Sequence, residues 1–347
     1  MTTFLVTGAA GFIGSHIVEQ LLSDGHSVIG VDDLSGGFME NVNPFVRQYH
    51  NTYQFYPYDV GNAKAMREIF LAQRPTVVVH CAANAREGAS GFCPQHITYA
   101  NTMISATLLE LAIQHGMQRF IYFSSMSVYG MGNNKPPFDE KFPRKPVDPY
   151  GVMKAATETM IELLADLHKF SYVILRPHNV FGERQSMQDP YRNAVAIFAN
   201  RILRGEPIYI YGKGHKRAFS YIGDSLPCFM RAIYGSLSGE IINVGGREEV
   251  TIDEMAQVVI AEFPDKKVEI IHTDPRHAEV PYAYSTYEKS EKLLGYTENI
   301  GWLDGIKLMM GWCKEQGPKE WRASPLPLIN EHAPLAWREL ATLKGSN

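Results

Sequence analysis

The chain has 347 residues, enough for one large domain or two smaller ones, and its 45% hydrophobic and 20% charged residues are typical of a globular protein. A net charge of -4, with lysine and arginine scattered, gives no electrostatic reason to expect a nucleic-acid or membrane partner. No apolar run approaches about 18 residues and no secretory signal is apparent, so we expect a cytoplasmic protein without a membrane span.

Short apolar strands alternate with helices along most of the chain. Strands are predicted at 4–6, 27–31, 53–56, 76–80, 119–123, 172–175 and 241–244, and helices at 11–25, 63–73, 97–115 and 150–168. Because the strands are apolar on both faces, the pattern predicts an α/β fold with a doubly wound parallel sheet. The four cysteines and twelve histidines are too dispersed for a metal site, so no metal is expected.

A glycine-rich turn separates the first strand from the first helix. It contains Gly8, Gly11, Phe12, Ile13 and Gly14. The first two glycines would allow a tight turn and close approach of a pyrophosphate, and the third would allow close packing of the helix on the strand. The helix N-terminus would face the phosphates, so the sequence predicts a dinucleotide site here.

Two acidic residues follow later strands. Asp32, at the end of the second strand, would accept hydrogen bonds from a ribose and repel a 2′-phosphate, which favours NAD over NADP. The alternative is that Asp32 and Asp33 only cap a turn. Asp59 and Val60, after the third strand, are a weaker candidate contact for the adenine ring.

Tyr150 and Lys154 lie four residues apart on a predicted helix, and therefore on one face of it. A lysine ammonium beneath a tyrosine hydroxyl would lower the pKa of the tyrosine from about 10 and let it exchange a proton near neutral pH. The spacing alone is also a common surface pair.

Six ordered motifs give the chain a family resemblance. They are the glycine-rich start, Val79-His80-Cys81-Ala82-Ala83, Ser124-Ser125-Met126-Ser127-Val128-Tyr129-Gly130, Tyr150-x-x-x-Lys154, Arg176-Pro177-His178-Asn179-Val180-Phe181-Gly182 and Arg217-Ala218-Phe219-Ser220-Tyr221-Ile222. Together they resemble the extended short-chain dehydrogenases/reductases, specifically the nucleotide-sugar epimerases typified by UDP-glucose 4-epimerase. The resemblance runs from about Thr3 to Tyr296.

The resemblance implies a Rossmann domain at 1–177 plus about 219–246, and a smaller C-terminal substrate-binding lobe at 178–218 and 247–330. The tail at 331–347 has no pattern that assigns it. The implied reaction is inversion of carbon 4 of a UDP-sugar through a 4-keto intermediate, with NAD kept bound. Tyr150 would be the acid/base, Lys154 would hold the nicotinamide ribose, and Ser125 would bind the same sugar oxygen. Ala82 and Asn101 would join the cofactor site, although Asn101 is equally explained as a locally satisfied helix residue.

Met126 and Ser127 narrow the reaction. Related 4,6-dehydratases carry an aspartate and a glutamate at these two positions, and neither residue found here can do such acid/base work. Two other functions stay open. One is an NAD(P)H-dependent reductase of the same superfamily, and the other is a non-enzymatic dinucleotide sensor, which the intact Tyr-Lys pair disfavours.

The resemblance also implies the substrate contacts. Asn179, Arg217 and Arg276 would bind the diphosphate, Tyr209 would lie on the strand that meets the uracil, and Glu279 would face the uridine ribose. Replacement of the family aspartate by Ala218 predicts weaker support for Arg217.

The sequence gives weaker evidence on the identity of the sugar and on the oligomeric state. A small residue, Ala283, suggests a roomy sugar pocket, whereas Arg86 could face a carboxylate such as that of a uronic acid, or could be an ordinary loop residue. Helices 97–115 and 150–168 resemble the pair that forms the family's dimer interface, so a homodimer is expected.

Overall fold

The computed structural model describes residues 2–131 and 136–342. Its strands, in chain order, are β1 (Thr3–Thr7), β2 (Ser27–Val31), β3 (Tyr53–Tyr56), β4 (Val77–His80), β5 (Arg119–Phe123), β6 (Ser171–Pro177), β7 (Val180–Phe181), β8 (Ile208–Tyr211), β9 (Lys216–Ala218), β10 (Ser220–Tyr221), β11 (Glu240–Val244), β12 (Glu249–Thr251), β13 (Ile270–Thr273) and β14 (Tyr282–Ala283).

The α-helices are α1 (Phe12–Ser23), α2 (Asn43–Gln48), α3 (Ala63–Gln73), α4 (Pro94–Thr98), α5 (Ile104–Gln114), α6 (Pro149–His168), α7 (Ala194–Arg204), α8 (Ile222–Tyr234), α9 (Ile252–Ala261), α10 (Glu288–Leu294), α11 (Gly301–Gln316) and α12 (Leu335–Thr342). The predicted helix 97–115 is interrupted, because a π-helical turn, Tyr99–Met103, joins α4 to α5. No helix in the described part of the chain is long and apolar enough to cross a membrane.

Seven strands form one parallel sheet in the order β11-β6-β5-β4-β1-β2-β3. The predicted doubly wound α/β fold is therefore confirmed. The chain first moves outward from β1 to β3 and then returns to β4 on the other side of β1. This reversal leaves a crevice at the carboxyl ends of β1 and β4, where ligands of such sheets bind.

Apolar helix faces cover both sides of the sheet. On one face, Ile17 of α1 and Phe229 of α8 belong to a fully buried cluster. On the other, Phe70 of α3, Leu108 of α5 and Ile161 of α6 form a second cluster. The strands are apolar on both faces because both faces are buried, and this burial holds the strand ends of the crevice in fixed positions.

Three small sheets lie in the later part of the chain, with strand orders β10-β7, β12-β9-β14 and β13-β8. Their strands come from either side of the segment that supplies α8 and β11. These sheets carry cavity-lining residues from β8, β9 and β14. The lobe boundaries given above stay a prediction.

The segment 318–342, which the sequence left largely unassigned, packs across the rest of the molecule. The Lys319 amide donates to the Asn200 side chain at 2.8 Å, and the Leu328 amide donates to the Phe92 carbonyl at 3.0 Å. Trp337 on α12 is only 3% exposed. The last five residues of the tail, 343–347, lie outside the described residues.

Candidate active site

The predicted glycine-rich turn forms a cradle between β1 and α1. The Gly11 amide donates to the Gly8 carbonyl at 3.0 Å. Gly8 has a φ of +71°, and a Cβ there would lie 2.8 Å from the backbone nitrogen of Ala82, while a Cβ on Gly14 would overlap the Gly8 carbonyl. No side chain fits at either position, so the cradle has bare backbone walls.

The first turn of α1 opens onto this cradle. The helix begins at Phe12, and its Ncap residue, Gly11, supplies no side-chain hydrogen bond. Backbone N–H groups at a helix start, here including those of Phe12 and Ile13, have no acceptor within the helix. They are therefore suited to an anionic ligand such as a pyrophosphate.

Asp32 lies at the carboxyl end of β2, beside the cradle. Its two carboxylate oxygens accept the amides of Ala10 at 3.0 Å and Leu34 at 2.8 Å. Burial raises the pKa of this carboxyl, and the two amides lower it. Asp32 thus does shape the turn, as the alternative interpretation proposed. A carboxylate has about four acceptor sites, so Asp32 keeps acceptor capacity for ribose hydroxyls.

Asp59 and Val60 follow β3, as predicted, but they differ in what they can contact. Asp59 accepts the Tyr99 hydroxyl and the Gly61 amide, each at 2.7 Å. The Val60 side chain is 4% exposed and belongs to the buried cluster under α3 and α5. Contact between the Val60 side chain and an adenine ring is therefore limited by its packing in the core.

Asn101 lies in the π-helical turn. Its amide nitrogen donates to the carbonyls of Ile97 at 2.9 Å and Asn84 at 3.2 Å. Its amide oxygen is buried and has no partner among the described residues, and the same holds for the Asn84 amide oxygen. The interpretation of Asn101 as a locally satisfied helix residue therefore holds for its amide nitrogen but not for its amide oxygen. Orphaned acceptors, together with a cradle that side chains cannot enter, fit a bound dinucleotide that carries donor groups.

Tyr150, Lys154 and Ser125 are brought together by α6 and β5. Asp148 caps α6 by accepting the Gly151 amide at 2.9 Å, and Pro149 stands in the first turn, where proline is favoured. Ser125 follows β5, and its hydroxyl is close enough to Tyr150 to lower the pKa of the phenol. Tyr150 is 4%, Ser125 6% and Lys154 2% exposed, so all three polar side chains are largely shielded from solvent.

The electrostatics of this pair differ from the sequence prediction. Lys154 Nζ donates to the Phe123 carbonyl at 2.7 Å and lies 5.8 Å from the centre of the Tyr150 ring. Burial lowers the pKa of Lys154 to about 7. Burial also raises the pKa of Tyr150, and the negative charge of Glu87 raises it further. In the ligand-free protein the Tyr150 hydroxyl is therefore protonated, because desolvation outweighs the groups that lower its pKa, which are Ser125 and Arg192.

A large cavity opens beside Ser125. The predicted residues Ser125, Asn179, Tyr209, Arg217, Arg276, Glu279 and Ala283 all line it. So do four residues that sequence reasoning missed: Glu87, Arg192, Tyr211 and Trp337. The one sequence signal for Glu87 is its position next to Arg86. The sequence contains no signal that places Trp337 in the cavity.

Arg217 and Arg276 share one carboxylate. Glu279 accepts Arg217 Nη2 at 2.9 Å and Arg276 Nε at 2.5 Å, and it is largely buried. This arrangement corrects one expectation, because Arg217 keeps an acidic partner although Ala218 replaces the family aspartate. Glu279 holds both arginines, and its contact with a uridine ribose stays a prediction. The remaining guanidinium N–H groups give the cavity a cationic end suited to phosphates.

Asn179 and Tyr209 line the same part of the cavity. Asn179 has a φ of +37°, a conformation that asparagine tolerates better than most residues, and its amide donates to the Ala218 carbonyl at 2.9 Å. The Arg201 guanidinium lies 4.8 Å from the centre of the Tyr209 ring. Asn179 therefore lies beside the strand that carries Arg217, and Tyr209 lies beside a different guanidinium, that of Arg201.

Arg86 does not face the cavity as predicted. Its Nε and Nη2 both donate to Asp189 Oδ2, at 2.9 and 2.8 Å, and its guanidinium lies 5.3 Å from the centre of the Tyr191 ring. The side chain is 5% exposed and is absent from the described lining of the main cavity. Because a buried guanidinium needs a paired charge, Asp189 holds it in place, and recognition of a uronic acid by Arg86 is disfavoured.

Comparisons with known proteins show the family to which the chain belongs. The model of the NAD dependent epimerase/dehydratase family matches residues 4–245. A putative UDP-glucose 4-epimerase of Methanocaldococcus jannaschii is 33% identical over 314 residues, which cover 89% of this chain and 98% of the relative. The dTDP-D-glucose 4,6-dehydratase of Mus musculus is 28% identical over 324 residues, with 90% and 88% covered. The crystal structure of a Thermotoga maritima UDP-glucose 4-epimerase with UDP-glucose matches with a TM-score of 0.82 at 33% identity, covering 91% and 99%.

A parallel sheet with a glycine cradle and a buried Ser-Tyr-Lys set defines an enzyme that works with a bound dinucleotide. Since the family model matches more than half of the chain, the protein belongs to the NAD dependent epimerase/dehydratase family. The resemblance noted in the sequence is confirmed, and the cofactor is NAD. Among residues 2–131 and 136–342, no cluster of three or more metal-ligating side chains was found.

Proposed function

We propose that the protein inverts carbon 4 of a UDP-sugar through a transient 4-keto sugar. The observation that carries this proposal is that one cavity is lined both by Ser125, which lies beside Tyr150, and by Arg217 and Arg276. A nucleotide sugar carries both a diphosphate and a carbon 4 hydroxyl, so a cavity that offers guanidinium groups and a proton-transfer group suits such a ligand. The Mus musculus relative shows that another reaction also occurs in the family.

In the proposed reaction, Tyr150 takes the proton from the carbon 4 hydroxyl and later returns it. Ser125 holds the same oxygen, and Lys154 lies near the pair, where its ammonium, when protonated, favours the Tyr150 phenolate. When bound, NAD accepts the hydride from carbon 4 and returns it, and its positive nicotinamide ring favours the Tyr150 phenolate. Burial of the three side chains excludes water, which protects a ketone that must stay in place until the hydride returns.

Simple inversion at carbon 4 is supported by what stands after Ser125. Met126 cannot exchange protons and the Ser127 hydroxyl is a weak acid, so neither supplies the acid pair that elimination of water would need. Ala283 lines the cavity as a small residue, which leaves space for a substituted sugar. Arg86, paired with Asp189, gives no support to a uronic acid.

The first test asks whether NAD stays bound. The protein should be purified without added cofactor and denatured, and the released dinucleotide should be quantified. Close to one NAD per chain, with activity on UDP-sugars that needs no added NADH, would support the proposal. An empty protein that consumes stoichiometric NADH would be a reductase instead.

The second test replaces the proposed acid/base. Tyr150→Phe should keep bound NAD and the folded state but lower turnover by about 10²–10⁴-fold, the usual contribution of a positioned acid/base. UDP-glucose, UDP-galactose and their N-acetylamino forms are suitable substrates, with products identified by NMR. Tyr58→Phe is the matched control, because Tyr58 is 43% exposed. Retained turnover in Tyr150→Phe would remove Tyr150 from the mechanism.

We also propose a homodimer formed through α6 and the π-helical turn. Val152, Leu163 and Leu167 on α6 are 43%, 67% and 70% exposed, and Met103 is 54% exposed. Such residues on neighbouring helices give an apolar face that a second copy would cover. Light scattering should therefore give twice the 39.0 kDa mass of the chain. A monomer at micromolar concentration would contradict this proposal.

A further inference from the structure

A chain of hydrogen bonds leads from Ser125, which lies beside the proposed acid/base, to a second acid in the same cavity. Ser125 Oγ lies 3.0 Å from Ser127 Oγ. Ser127 Oγ in turn donates to Glu87 Oε1 at 2.8 Å. Glu87 comes from the loop after β4, about forty residues away in the chain, so the sequence did not connect it with Ser127.

Glu87 differs from the other acids near this site in being available. Asp189 is bound to Arg86, and Glu279 is bound to Arg217 and Arg276. Glu87 makes no salt bridge to any described residue, and its side chain is exposed through the cavity. It can therefore exchange protons with both a ligand and the solvent.

The surroundings of Glu87 raise the pKa of its carboxyl. Desolvation by the surrounding protein is the largest influence and raises the pKa of Glu87, while the Ser127 hydrogen bond and the more distant Arg276 lower it. A carboxyl with a raised pKa is a better acid/base at neutral pH than an ordinary surface glutamate.

We propose that Glu87 is a second acid/base, which removes and returns the hydrogen on a carbon next to carbon 4 while the sugar is in its 4-keto form. This inference rests on the proposed function, because only the ketone makes that hydrogen acidic. Met126 and Ser127 cannot provide a second acid/base, but Glu87, on the loop after β4, provides a carboxylate at the same site.

The step is balanced without any further reactant. The C–H bond next to the ketone breaks, its proton goes to the Glu87 carboxylate, and its electron pair enters an enolate whose oxygen is the former carbon 4 carbonyl. Tyr150, which already holds the proton from that oxygen, donates a hydrogen bond to it. Return of the proton from Glu87 regenerates the ketone, and nothing is oxidised or reduced.

The distances allow this step. Ser127 Oγ lies 3.0 Å from Ser125 Oγ and 2.8 Å from Glu87 Oε1, so Ser125 Oγ and the Glu87 carboxylate are at most roughly 6 Å apart. A sugar oxygen bound by Tyr150 and Ser125 would place its neighbouring carbons between these groups. A glutamate carboxyl exposed to the cavity would then exchange its new proton with water before returning it.

The experiment follows carbon-bound deuterium. The NAD-loaded protein is incubated in D₂O with UDP-glucose, UDP-galactose and their N-acetylamino forms, and recovered sugars are examined by NMR and mass spectrometry. Hydride return alone places no solvent deuterium on carbon. The inference predicts deuterium on a carbon next to carbon 4. Inversion at carbon 4 with no deuterium on carbon would overturn it and leave the proposed function intact, whereas absence of both reactions would overturn both.

Variants assign the exchange to Glu87. In Glu87→Gln, which can still accept the Ser127 hydrogen bond, deuterium uptake per carbon 4 turnover should fall at least about 10-fold, and Glu87→Asp should restore part of it. Asp148→Asn removes the neighbouring carboxylate while an asparagine still caps α6, and its ratio of uptake to turnover should match the unmodified protein. If Glu87→Gln kept this ratio, or if Asp148→Asn lost it instead, the assignment to Glu87 would be wrong.

Discussion

Glu158 supports the strand end that carries Ser124 and Ser125, and removing its charge should be costly. The residue lies on α6, eight positions after Tyr150, and is fully buried. It accepts Arg176 Nε at 2.9 Å and Nη2 at 2.6 Å, Arg144 Nε at 2.7 Å and Ser124 Oγ at 2.5 Å. Arg176 is 1% exposed, so its charge has no access to water once this partner is gone.

The expected loss in Glu158→Gln can be worked out from this geometry. Breaking one side of a buried ion pair costs about 3–5 kcal/mol, because the other charge is left buried. An amide at this position would also point donors at the donors of Arg176. Unfolding entropy of roughly 2.1 cal/mol/K per residue gives about 0.7 kcal/mol/K for a chain of this length, so the midpoint of thermal unfolding should fall by about 5 °C.

The assay is thermal unfolding followed by circular dichroism, with turnover measured in parallel. Glu162→Gln is the control on the same helix, since Glu162 pairs with Arg144 but is 33% exposed, and it should lose no more than about 1 kcal/mol. Replacing both Glu158 and Arg176 by leucine should recover part of the loss. A fall below about 1 °C in Glu158→Gln would refute the reasoning, because the pair would then not be desolvated.

Two further predictions concern residues at the site. In cofactor-free protein, Lys154→Met should raise the free energy of unfolding at pH 6. The pKa of Lys154 is about 7 in the folded protein and about 10.4 in the unfolded chain, so charging Lys154 opposes folding. This penalty is complete below pH 7 and fades as the pH rises to 10. An advantage of Lys154→Met that did not shrink between pH 7 and 9 in denaturant titrations would contradict this. Trp337→Ala should weaken UDP binding about 5- to 10-fold in calorimetry, because the Trp337 ring lies 5.7 Å from the Arg276 guanidinium. Trp337→Phe should lose less, and equal losses would show that the ring face is not what matters.

The fold could be predicted from the sequence because its signals are local. Strands such as Val77–His80 are apolar runs, and Gly8 and Gly14 stand where any Cβ would clash. Strands and the glycine-rich turn can therefore be predicted from the residues that form them. The Tyr150 and Lys154 spacing is local in the same sense, and it placed both residues correctly on one helix.

The parts that sequence reasoning missed depend on contacts between distant residues or on burial. Arg86 looked free because Asp189 is about a hundred residues away, and the tail looked unassigned because Trp337 packs against Tyr191 and Tyr211 from earlier elements. The sign of the pKa shift at Tyr150 was wrong for a different reason. Spacing shows that a lysine is near, but only the three-dimensional surroundings show how strongly both groups are desolvated.

The π-helical turn at Tyr99–Met103 sets how α4 is rotated about the helix axis relative to α5. Successive residues of an α-helix are turned by about 100°, so one residue more or less changes which side chains face the neighbouring helix. Deleting a single residue here would let α4 and α5 join as one regular helix, and Asn101 would swing away from Asn84. The turn is therefore equivalent to one extra residue in an otherwise regular helix, and it sets the direction of the Asn101 side chain.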